Sequence, residues 1–280
     1  MQRSTLDLAI AFISFHKTDI PLADVVKILT YALSVFLRRD MSLNRRIFQW
    51  LLNVNSDGQQ VNQMDKSVSR EEDVTDEDVR VNTSYFLTYA KDLLTAAVIV
   101  LFQHVAYADL QETTTLSPRK PFRILISLLD KPEVGSAILE DVLIEVFRTL
   151  YQYYEQKEGV KSDQKASSDD SQRIADTHDE LVKNANLLFN AFEPYYMWDY
   201  LGRLLKKCSK NMTMNSQECV ESEAATESGI SRLATLVSLK EPTHLEMFKL
   251  ISYLLDVVSL VCIVLHYFTV QSCNDNYLYF

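Results

Sequence analysis

Between Leu22 and Leu52 the apolar residues keep a beat that leaves little freedom of fold. Leu22, Val25, Val26, Leu29, Ala32, Leu33, Phe36 and Leu37 recur at three- and four-residue steps, with Asp24, Lys27, Thr30 and Ser34 between them. That is the period of an amphipathic helix with one broad buried face. Two arginines and an aspartate follow, then Leu43, Ile47, Trp50 and Leu51 repeat the pattern. Asp40 or Ser42 is placed to cap this second helix by accepting an orphan backbone N–H of its first turn. So few residues separate the two runs that the helices are expected to lie antiparallel, as a hairpin.

The rest of the chain repeats this economy. Gly 5 and Pro 6 in 280 residues supply too little turn chemistry for an all-β fold. Helices are expected over 4–15, 85–108, 122–129, 134–154, 180–192, 195–207 and 230–239. Asp130 is expected to cap the helix after Pro132, and Thr243-His-Leu-Glu246 has the form of a capping box opening a last long helix. Three polar stretches, 53–80, 155–179 and 208–228, read as flexible loops. The fold class is therefore all-α. Antiparallel helix pairs of roughly 40 residues would stack as a HEAT- or TPR-like right-handed solenoid over 1–280, a single helical-repeat segment with long disordered inter-helix loops. A compact helical bundle is the alternative. The chain opens in mid-pattern without a cap, so it is expected to be a piece of something longer or an incomplete gene product.

Charge and motifs narrow the function. A net charge of −10 disfavours nonspecific nucleic-acid binding and adhesion of the whole surface to anionic lipid, though a local basic patch remains open. Cys208, Cys219, Cys262 and Cys273 show no metal-binding spacing and read as free thiols. The sequons at Asn82 and Asn211 carry little weight without a leader, and the N-terminus lacks the order of a signal peptide. The stretch 250–270 is apolar, but Asp256 and His266 interrupt it, so it reads as a buried core helix. No glycine-rich phosphate loop, HExxH, GxSxG or CxxC occurs, so no enzyme, cofactor or metal is expected. His104 and His266 read as core or boundary histidines. Asp176-Thr-His-Asp-Glu180 reads as an acidic first turn rather than a metal cluster.

One cluster stands out. Arg38, Arg39, Asp40, Asn44, Arg45, Arg46 and Trp50 straddle the turn of the hairpin. Its guanidinium groups suit an anion site for phosphoinositide headgroups or an acidic peptide. They better suit a structural task, bonding orphan carbonyls at a helix end and Asp40.

The run FLRRDMSLNRRIFQWLL, Phe36 to Leu52, closely resembles the signature of the Dopey family, large cytosolic trafficking proteins of the Golgi and endosomes. Thr5 to Leu8 and Ile20 to Leu22 look like the family's lead-in. Tyr85 to Lys91, Arg119 to Gly135 and Phe192 to Trp198 resemble later blocks. The resemblance implies a non-enzymatic scaffold segment in protein transport between endosomes and the trans-Golgi network. It would be peripheral on the cytosolic face of those membranes, working with a large Sec7-related scaffold and linked to flippase and kinesin machinery. The other reading is a peripheral membrane module that meets anionic lipid through the Arg38–Arg46 turn.

Overall fold

The computed structural model describes residues 2–16, 19–38, 40–54, 82–107, 117–162, 168–214, 236–237 and 242–257. Among them every regular element is helical. The helices are α1 (Gln2–Phe12), α2 (Leu22–Leu33), α3 (Met41–Leu52), α4 (Lys91–Tyr107), α5 (Lys120–Leu129), α6 (Pro132–Ser162), α7 (Ser168–Phe189), α8 (Pro194–Met214) and α9 (His244–Val257). A 3₁₀ turn, Ser34–Arg38, tightens the exit from α2, and a π turn, Phe86–Ala90, leads into α4. The all-α class read from the turn-poor composition is the observed one.

The chain divides into two compact units. The first takes Met1–Phe102, Arg123–Val142 and Thr226–Ser238, the second Gln103–Phe122, Leu143–Ala225 and Leu239–Phe280. In the first unit, α2 buries Val25, Val26, Leu29 and Leu33, the face its sequence marked. Thr30 joins them by turning its hydroxyl back onto the Val26 carbonyl, 2.8 Å away. Phe36 meets Phe48 of α3 with ring centroids 5.3 Å apart, which closes the hairpin. Helix α3 also runs parallel to α1. Arg46 pairs with Asp7, and four residues on, the Trp50 indole donates to the Ile13 carbonyl at 2.8 Å. Parallel first and third helices are what stacked helix pairs require. Residues 82–104 form a helix long and apolar enough to cross a membrane, yet 61% of its most apolar window is buried inside the protein. Ala90, Ala96 and Ala97 are fully covered there, and side chains so small let neighbouring helices approach closely.

The close approach between α5 and α6 has a single cause. A Cβ on Gly135 would lie 2.6 Å from the Leu129 Cα and 2.7 Å from the Leu128 carbonyl oxygen. Only hydrogen fits. Lys131 caps α6, not Asp130 as the sequence suggested. Its carbonyl accepts the first intrahelical bond, from Gly135 N–H at 2.8 Å, with Pro132 in the first helical position.

In the second unit, α6 and α7 run antiparallel: Phe147 touches Phe189, and Lys157 reaches Asp179 at 2.9 Å. Helix α9 runs parallel to α6, with Arg148 on Glu246 and Tyr154 against Tyr253. The capping box is formed as expected: Glu246 N–H donates to Thr243 Oγ1 at 3.2 Å, and Thr243 N–H to Glu246 at 3.3 Å. Glu246 does a second job the sequence did not reveal. It accepts Arg148 Nε at 2.6 Å, while Arg148 also donates to Glu145 of its own helix at 2.6 Å. This half-buried triad seats α9 on α6.

Two of the polar stretches need correction. Residues 155–162 continue α6, residues 168–179 begin α7, and residues 208–214 end α8. Glu, Gln, Lys and Ala have good helix propensity, so polarity without proline does not end a helix. Tertiary contacts such as Lys157–Asp179 then hold the extension. Residues 55–80 and 215–228 lie outside the described residues, as do most of the helix expected at 230–239 and the apolar stretch beyond Val257. The described part of that last stretch is a core helix, with Met247, Leu250, Tyr253 and Leu254 buried.

Two measurements test this packing. Gly135→Ala should cost about 2 kcal/mol through overpacking against backbone, lowering Tm by about 5 °C. Arg148→Ala strands Glu145, which is 7% exposed, and should cost about 3 kcal/mol, or about 10 °C in Tm. A Tm unchanged in thermal unfolding would show that the triad does not hold α9 in place.

Candidate functional site

The arginine turn is built by the cap of α3. Asp40 accepts from Ser42 N–H at 2.9 Å, from Leu43 N–H at 3.3 Å and from the Ser42 hydroxyl at 2.7 Å. The Ser42 hydroxyl, with the Leu43 amide, holds the Asp40 carboxyl below its usual range. Asp40 is thus occupied by α3 itself. At the other end, Asn53 adopts a left-handed conformation (φ 54°) and its N–H bonds back to the Trp50 carbonyl, closing the helix.

Between these caps α3 splits the cluster onto two sides. Arg46 faces α1, where it pairs with Asp7, each side chain close to two-fifths exposed. Trp50 lies on that side, stacked on Phe15 at 4.8 Å. Both border a cavity of about 480 Å³ that also takes in His16 and Tyr85. Ser14 and His16 Nδ1 are 2.6 Å apart, and the Tyr85 hydroxyl is 3.3 Å from the same nitrogen. Burial pushes the Tyr85 phenol above its ordinary pKa.

Asn44 and Arg45 face the other way, into a second cavity of about 540 Å³ with Met41, Phe48 and Leu52. Across it stand Asn82, from the turn before the π segment, and Asp130, Lys131 and Glu133, from the junction of α5 and α6. Arg45 is exposed, as is Arg38 at the end of the 3₁₀ turn; Arg39 lies outside the described residues. Arg45 and Arg46 therefore border different cavities. The structure brings Asn44 and Arg45 together, and separately Arg46 and Trp50. Asn82, Lys131 and Glu133 escaped the sequence reading because they reach α3 from segments far along the chain. No local spacing could have flagged them.

The segment Asp176 to Glu180 sits in the middle of α7, not in a first turn. His178 is 6% exposed. Its Nδ1 lies 3.3 Å from the Asp179 carboxylate and 3.4 Å from the Lys157 ammonium, and its Nε2 lies 3.2 Å from the Tyr253 hydroxyl. Lys157 also holds Asp179, so an ammonium already stands where a metal ion would. Among the described residues no group of three His, Cys, Asp or Glu side chains is placed to hold a metal. His104, expected in the core or at its boundary, is exposed.

Comparison with known proteins matches two parts of the chain to one family. Residues 1–56 match the model described as "Dopey, N-terminal", and residues 85–256 match "DOP1 middle TPR domain". Protein DOP1B of Mus musculus is 35% identical over 277 residues, covering 93% of this chain and 11% of that protein. The protein DOP1 homolog of Drosophila melanogaster is 32% identical, covering 93% of this chain and 9% of its own length. Protein pad-1 of Caenorhabditis elegans is 22% identical over 78% of this chain and 11% of its own. No solved structure matches. The chain thus spans about a tenth of the curated relatives it matches. With the arginine turn in the N-terminal match and the paired helices in the TPR match, the chain belongs to the Dopey (DOP1) family.

Proposed function

We propose that this chain is a non-enzymatic scaffold segment in vesicle-mediated transport between endosomes and the trans-Golgi network, acting by protein–protein contact. It would work on the cytosolic face of those membranes beside a large Sec7-related scaffold, with flippase and kinesin machinery as further partners. What carries the reading is family membership joined to an architecture of paired helices, whose faces suit protein recognition. Nucleic acid is not among the expected partners, given the net charge of −10.

The peripheral-membrane reading comes second on electrostatic grounds. Anionic lipid is met by clustered, uncompensated cations. Here Arg46 is paired with Asp7, and Arg45 shares its cavity with Asp130 and Glu133. The cationic field of the turn is offset by nearby carboxylates.

Two binding measurements separate the readings, and two substitutions test the packing of the turn. In a pull-down with the Sec7-related scaffold, residues 1–280 should bind in a manner that tolerates salt. Charge reversal of Arg38, Arg39 and Arg45, with folding checked, should leave flotation with anionic liposomes unchanged; salt-sensitive flotation lost in that variant would favour the membrane reading. Arg46→Ala should lower Tm slightly, since a half-exposed ion pair contributes up to about 1 kcal/mol. Arg45→Ala, at an exposed position, should stay within about 0.5 kcal/mol of the parent.

A further inference from the structure

His178 sits where three helices of the second unit meet and where two of them run out of core. From Tyr154 onward no described side chain of α6 is buried, and His178 is the first buried one described along α7. The hold on the far end of α6 comes from the Lys157–Asp179 ion pair and from Tyr154, whose ring lies 6.1 Å from that of His178 and 5.0 Å from that of Tyr253. A helix end with so little apolar burial opens locally when its polar contacts change.

Among the described residues, each of the three helices turns a titratable group to the imidazole. Helix α6 contributes the Tyr154 ring and Lys157, its ammonium 3.4 Å from Nδ1. Helix α7 contributes Asp179, 3.3 Å from the same nitrogen, and α9 the Tyr253 hydroxyl, 3.2 Å from Nε2. Farther out, Glu155 of α6 and Lys249 of α9 pair at 4.0 Å and offset each other. Burial pushes the Tyr253 phenol far above its ordinary range, so it stays neutral. The hydrogen bond from Lys157, and after it that from His178, holds the Asp179 carboxyl below its usual range, so it stays charged. Of these groups His178 is the one whose charge changes between about pH 5 and pH 8.

Lys157 Nζ and His178 Nδ1 share one oxygen, Asp179 Oδ1, at 2.9 and 3.3 Å. A proton on His178 would set two cations 3.4 Å apart at a residue only 6% exposed. The Asp179 side chain, 60% exposed, is screened by water and does not neutralise both. Lys157 has a flexible stem and leaves for solvent readily, whereas the packed ring has nowhere to go. We propose that His178 is an acid-sensitive latch: a proton taken from solvent turns Asp179 from Lys157 to the imidazolium and frees the last turns of α6 from α7. The unfolded chain accepts that proton without the repulsion, so below neutrality it binds more protons than the folded chain. The latch therefore contributes its full stability above about pH 6.5, the ordinary imidazole range, and loses it as pH falls further.

The test is thermal unfolding of residues 1–280 at about pH 7.5 and about pH 5.5, either side of the imidazole titration. The parent should lose about 3 °C more on acidification than His178→Gln, which stays polar and cannot take the proton. Lys157→Met removes the ammonium and keeps the stem. Its acid-induced loss should vanish or become a gain, because the imidazolium then faces Asp179 alone. Amide hydrogen exchange at residues 155–162, corrected for the intrinsic effect of pH, should quicken on acidification in the parent and show no such change in Lys157→Met. A packing role for His178 would lower the Tm of His178→Gln by the same amount at both pH values. That result, an acid loss in Lys157→Met as large as the parent's, or exchange in the parent indifferent to pH would each overturn the proposal. If His178→Gln does not fold, the comparison of the parent with Lys157→Met decides.

Discussion

A helix that hides only one stripe of its surface is stable only while a neighbour covers that stripe, and both units are arranged around this requirement. Val25, Leu29 and Leu33 of α2 are fully or almost fully covered, as are Leu93, Leu94 and Phe102 of α4 and Val142, Val146 and Phe147 of α6. Burial of such side chains stabilises by about 1.5–3 kcal/mol each, far more than the ion pairs of the surface. Polar contacts then choose among the ways of stacking. The Trp50 indole fixes α3 against the end of α1, and Glu246 fixes α9 against α6.

How much of this was legible depended on whether the signal was local. The apolar face of α2, the Asp40 cap and the Thr243–Glu246 box were readable because each is written within a few residues. Lys131 displaced Asp130 as a cap because Pro132, whose missing N–H suits the first helical position, set the start one residue later. The reach of α6 and α7 into the polar stretch was hidden because their support comes from across the helix pair. Tyr154 packs on Tyr253, and Lys157 on Asp179. The candidate cluster was legible as residues but not as geometry. Adjacent positions on a helix point about 100° apart, so Arg45 and Arg46 meet different neighbours.

That divergence changes how the hairpin is understood. A run of arginines in sequence suggests a single charged surface. In the fold, α3 is a partition with a stacked aromatic and an ion pair on one side, and unsatisfied amides beside an apolar wall on the other. On the stacked side Arg46 and Trp50, which border the cavity, are already bonded to Asp7 and Ile13. The other side has hydrogen-bonding capacity left over.

The π turn at Phe86–Ala90 sets the aim of what precedes it. A π turn holds one residue more than the α-helical turn it replaces. Loss of one residue there would restore a regular helix and swing positions 82–85 by about 100° relative to α4. Asn82 would leave one cavity and Tyr85 the other, while the buried face of α4 stayed as it is. A single-codon deletion in this turn would therefore re-aim the walls of both recesses beside α3 and also displace Phe86 or Ala90 from the core, so the length of this segment, as much as its composition, is the heritable trait to follow among relatives.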